Sequence, residues 1–107
     1  MIFLDRDALD REISAGEEAL IVVFWADWSG PCHIMTPILE QLGNDYKGVL
    51  KIYMIDVDQS PEAMADYGVR SIPTLVFFRH GAVVDQIAGI ISKKELAAKL
   101  TAVLEMK

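Results

Sequence analysis

A chain of 107 residues with 52% apolar and 24% charged side chains is long enough to bury a core and too apolar to be disordered. Ten Lys and Arg against sixteen Asp and Glu leave a net charge of −6; nucleic acid is therefore not an expected partner, because a duplex-binding surface carries a basic stripe. One cysteine rules out an internal disulfide framework. MIFLDRDALD has four apolar residues before its acids begin, so a signal peptide is not expected. No run approaches the roughly 18 apolar residues of a spanning helix. The expectation is one cytoplasmic domain over residues 1–107, monomeric, with no membrane partner.

In chain order, Phe3 and Leu4 are candidates for an edge strand. Asp7 to Ala15 sets Ala8, Leu9 and Ile13 among acids and an arginine, with Gly16 behind, and reads as a first helix. Leu20 to Trp25 is an unbroken apolar run rich in Val and Ile, the pattern of a strand covered on both faces. From Cys32 onward, Met35, Ile38, Leu39, Leu42 and Tyr46 recur at helical spacing. Pro37 inside that helix should kink it, because its ring displaces a backbone hydrogen bond. Leu50 to Val57 reads as a second central strand. A short helix follows, with Ser60 as N-cap and Pro61 at its first position. Thr74 to Arg79 and Ala82 to Ala88 flank His80-Gly81, a hairpin signal. Ser92-Lys93-Lys94-Glu95 matches a capping box, and Leu96, Leu100, Val103 and Leu104 give the closing helix one apolar face.

Strands separated by helices imply parallel crossovers, and the late hairpin adds an antiparallel edge. The expected fold class is α/β: a central mixed β-sheet of four to five strands flanked by helices on both faces. Function in such sheets gathers at the carboxyl ends of central strands. WADWSGPC, residues 25–32, lies at one of them.

A side chain at a helix N-terminus meets unpaired N–H donors and the positive end of the dipole, which is why acidic thiols favour such positions. Position 29 opens the helix, so a thiolate would gain most there, but the residue is Ser29. Its expected physical role is that of N-cap, accepting a hydrogen bond from the Cys32 amide. Cys32, one turn further in, should be more sheltered and less acidic. Taken alone it would be a small buried hydrophobe.

FWADWSGPCHIMTPILEQL resembles the active-site segment of the thioredoxin family, whose motif is WCGPC followed by a helix with an internal proline. IDVDQSPEAMADYGVRSIPTLVFFRHG and GIISKKEL extend the likeness over nearly the whole chain. The resemblance implies the thioredoxin fold and thiol–disulfide exchange, with protein disulfides as substrates and a thioredoxin reductase as partner; no cofactor is expected. It makes Ser29 the attacking-cysteine position and Cys32 the resolving one. It also implies a cis Pro73 facing the turn, within a flat apolar docking patch of Trp28, Gly30, Pro31, Ile72, Pro73, Gly89 and Ile90. Trp25 is expected in the core.

Two further positions depart from the family pattern. A buried Asp two residues before WAxW, which helps deprotonate the resolving cysteine, is replaced by Val23, and the Lys that often pairs with it is replaced by Met54. Both losses point the same way as Ser29: a serine hydroxyl is not a substitute nucleophile for a disulfide sulfur. The expectation is a thioredoxin-type protein silenced in dithiol turnover. The alternatives are a redox-inactive binding module and a one-cysteine protein forming mixed disulfides through Cys32. His33 reads as a solvated surface residue and His80 as a turn residue. A Ser29–His33 hydrolase pair lacks an orienting acid, and one Cys with two separated His gives no metal-ligand cluster.

Overall fold

A computed structural model of the chain describes residues 2–16 and 18–106. Its elements run β1 (Ile2–Phe3), α1 (Arg6–Ala15), β2 (Ala19–Trp25), α2 (Gly30–Asp45), β3 (Leu50–Asp56), α3 (Glu62–Asp66), β4 (Thr74–Arg79), β5 (Ala82–Ala88) and α4 (Lys93–Leu104). They build a five-stranded sheet in the order β1-β3-β2-β4-β5. β1 and β2 pair parallel with β3, while β4 runs antiparallel to both β2 and β5. This is the expected mixed α/β sheet.

The unbroken apolar run of β2 has a simple cause. Alternate strand residues point to opposite faces, and both faces are covered. Ala19, Ile21 and Val23 pack with Met35, Leu39 and Leu42 of α2 and with Leu96, Leu100 and Val103 of α4. Leu20, Val22 and Phe24 pack on the other side with Leu9 and Ile13 of α1 and Ala63 and Val69 at α3. Each such side chain larger than alanine is worth about 1.5–3 kcal/mol on burial, which holds β2 at the centre of the sheet.

The caps follow the sequence with small shifts. Asp5 caps α1 through the Ala8 amide, so that the helix begins at Arg6, one residue ahead of the expected Asp7, and Ser92 caps α4 through Glu95 N. The edge strand is Ile2–Phe3 rather than Phe3–Leu4. α2 runs through Pro37 from Gly30 to Asp45. His80 (φ 53°) and Gly81 (φ 80°) are both left-handed, as a two-residue hairpin turn requires.

Ser60 is corrected. Pro61, not Ser60, stands at the N-cap of α3, and no side chain caps that helix. The reason is that the chain leaves β3 in a tight turn, with Ser60 N donating to Asp56 O at 2.9 Å and Ser60 O accepting from Ala63 N at 3.1 Å. The serine backbone, rather than its hydroxyl, starts the helix. No helix among the described residues is long and apolar enough to cross a membrane.

Candidate functional site

Register brings four separate segments to one end of the sheet. Phe24 in β2 pairs with Thr74, the first residue of β4, so Ile72 and Pro73 arrive beside the β2–α2 turn. Thr74 pairs in turn with Ala88, the last residue of β5, which sets Gly89 and Ile90 next to Pro73. On the other side Trp25 pairs with Asp56, the last residue of β3, bringing in the Asp56–Ser60 turn. Trp28, Gly30, Pro31, Ile72, Pro73, Gly89 and Ile90 are thus gathered at the carboxyl end of β2, but Pro73 is buried and Ile72 and Gly89 are half-buried, so only four of the seven are exposed as a flat patch requires.

The turn itself is tightly bonded. Ser29 N donates to Ala26 O at 3.2 Å, and Ser29 O accepts from His33 N at 3.3 Å. With φ −91° and ψ 114°, Ser29 sits in the extended region of an N-cap, and its Oγ accepts from Cys32 N at 3.3 Å. The serine caps the helix as expected. Cys32 is wholly buried and Ser29 is only 5% exposed, so the order of shelter is as expected but position 29 is less open than a helix end suggests. The Cys32 carbonyl accepts from the Thr36 hydroxyl at 2.9 Å.

Around the turn lies an apolar face. Trp28 is 69% exposed, yet its indole is fixed: Nε1–H donates to Asp58 Oδ2 at 2.9 Å, and Asp58 N donates to Asp56 Oδ1 at the same distance. Gly30 and Pro31 are exposed. The Ile72–Pro73 bond is cis, and the Pro73 carbonyl accepts from Gly89 N at 2.8 Å. Gly89 adopts φ +87°, a conformation that favours glycine, and Ile90 beyond it is exposed. Ile34, not expected from the sequence, joins the face at 52% exposure; it lies three residues after Pro31, on the same side of α2. Its position off the Met35–Leu39–Leu42 stripe is the signal that could have found it.

A cleft of about 500 Å³ lined by Phe3, Leu4, Asp5, Trp25, Asp27, Asp56, Gln59 and Ser60 shares none of these docking residues. The candidate site is a face rather than a cavity.

Behind the turn the two departures form one contact. Val23 and Met54 are register partners across β2 and β3, both fully buried in the cluster that α2 covers. Neither position of that pair carries a carboxylate or an ammonium group. His33 is exposed, as expected, but it is engaged. Its Nε2 lies 2.6 Å from the Asp27 carbonyl, and since a carbonyl only accepts, that nitrogen carries the proton. The imidazole also meets Trp25 edge-to-face at 5.4 Å. Trp25 is half-buried rather than fully in the core, and it also packs edge-to-face with Phe3 at 5.3 Å.

The family model described as thioredoxin matches residues 1–102. The chain belongs to the thioredoxin family. It is 43% identical to a thioredoxin of Chlorobaculum thiosulfatiphilum over 89 residues, 83% of this chain and 82% of the relative. It is also 43% identical to a thioredoxin of Staphylococcus aureus over 91 residues, 85% of this chain and 86% of the relative. A chloroplastic M-type thioredoxin of Pisum sativum is 38% identical over 91 residues, 85% of this chain and 53% of that protein. The family's chemistry is thiol–disulfide exchange, and this member carries one cysteine.

Proposed function

We propose that this chain, acting as one monomeric thioredoxin domain over residues 1–107, docks extended protein segments at the Trp28–Pro31, Ile72–Pro73 and Gly89–Ile90 face without turning over their disulfides. The observation that carries the reading is Ser29 at the N-cap, its Oγ spent on the Cys32 amide, where the family's first cysteine attacks. Dithiol turnover needs a thiolate to attack the target disulfide and a second to displace the mixed disulfide. A hydroxyl at position 29 is too weakly acidic for the first step. Cys32, the candidate resolving residue, is wholly buried, and no intermediate forms for it to resolve. The same burial argues against mixed disulfides made directly through Cys32.

The partners that fit are the family's protein disulfide substrates and a thioredoxin reductase, in a reducing compartment such as the cytoplasm. An insulin-type disulfide reduction assay tests this. The chain should give no turnover above the chemical reductant, and Ser29→Cys should give clear turnover. Turnover by the unaltered chain overturns the silenced reading. A Ser29→Cys protein that stays inactive means that more than the missing thiol was lost at this site.

A further inference from the structure

We infer that the sulfur of Met35 is the positioning group for the segment that presents Ile90 on the docking face; the relevance of that segment rests on the docking reading above. Met35 lies on α2 one turn beyond Cys32 and is wholly buried. Helical periodicity assigns it to the core, a role that leucine would fill equally well. The structure gives it a second one. Ile91 N donates to Met35 Sδ at 3.5 Å, linking a β5–α4 loop amide to the middle of a helix 56 residues earlier.

The loop is thereby held on both sides of its exposed residue. Gly89 N is fixed to the Pro73 carbonyl at 2.8 Å, Ile91 N to the Met35 sulfur, and Ile90, 54% exposed, stands between them. Ile91 is itself buried, and a buried amide needs an acceptor. A thioether is a weak one, yet it is enough to set where this loop stands relative to the helix that carries Ser29 and Cys32.

The test is amide hydrogen exchange by NMR on the free protein, so its outcome does not depend on docking. Replacing the five methionines by norleucine removes sulfur at nearly unchanged shape, selenomethionine keeps a heavy acceptor atom, and Met35→Leu localises the effect. In the norleucine and Met35→Leu proteins the Ile91 amide should exchange roughly three- to tenfold faster, the loss of one modest hydrogen bond. Its proton resonance should move upfield, and the selenomethionine protein should match the native one. If Met35→Leu does not fold, the norleucine protein gives the same reading. Unchanged Ile91 exchange without sulfur, or an equal acceleration at Leu39 and Leu42 in the α2 core, overturns the inference.

Discussion

Ser29 Oγ accepts the Cys32 amide at 3.3 Å, so the residue that caps the start of α2 also satisfies the backbone of the chain's one cysteine. Removing the hydroxyl leaves a buried N–H without its acceptor. Ser29→Ala should therefore destabilise the fold by about 1 kcal/mol, measured by denaturant unfolding with an unchanged slope. A Ser29→Ala protein as stable as the parent would mean that the cap contributes nothing.

Val23 and Met54, in register and fully buried, make a second prediction. A carboxylate restored at Val23 would be buried among Met54, Leu75 and Met35 without a partner. Val23→Asp should cost about 3–5 kcal/mol at pH 7. Burial raises the acid's pKa, so its neutral form is the one the fold accepts. The penalty is then smallest below the unfolded carboxyl range and grows as pH rises through the folded value. Adding Met54→Lys should recover part of the loss at pH 7. A penalty independent of pH, or no recovery in the double variant, counts against this account.

Trp28 and Asp58 make a third. The indole is exposed but held by a carboxylate 30 residues away, so its orientation depends on the β3–α3 turn. Asp58→Ala should speed exchange of the Trp28 indole proton roughly three- to tenfold while changing stability by less than about 1.5 kcal/mol. If the docking reading holds, affinity for an extended peptide should fall as well. An indole proton that exchanges at the native rate would show that Asp58 does not fix the ring.

What the sequence discloses here depends on the range of the interaction. β2 was legible because a strand covered on both faces loses its polar alternation, and Ser29 and Ser92 were legible because a cap reaches only three residues along the chain. Ser60 misled for the same local reason: Ser-Pro-Glu looks like a cap, but the preceding turn from Asp56 decides which atoms of Ser60 are used. The Trp28–Asp58 bond, the Ile91–Met35 contact and the closure of His33 onto the Asp27 carbonyl have no periodic signature. The first two exist only once the strand register has set distant segments side by side, and the third depends on the path of the β2–α2 turn itself. The apolar replacements at Val23 and Met54 were legible as a pair only through the family resemblance, and the strand register sets them opposite each other as that pairing requires.

Tyr67 gives the last prediction, away from the site. Its ring packs near Phe24 and Phe78, at 5.9 Å from each, and its hydroxyl donates to Asp10 Oδ1 at 3.0 Å, joining the end of α3 to α1. Burial first, then this hydrogen bond and the Asp10 charge, push the phenol up from 10.0 to about 12. The folded value is the higher one, so the stabilisation is fully present below pH 10 and is lost as pH rises from 10 toward 12. Tyr67→Phe should cost about 0.5–1.5 kcal/mol below that window, and the two proteins should converge in stability within it. Denaturant unfolding from pH 8 to 12 reads both effects (roughly two pH units on either side of the free phenol). Parallel stability curves for the two proteins across the whole range would show that folding does not raise the tyrosine.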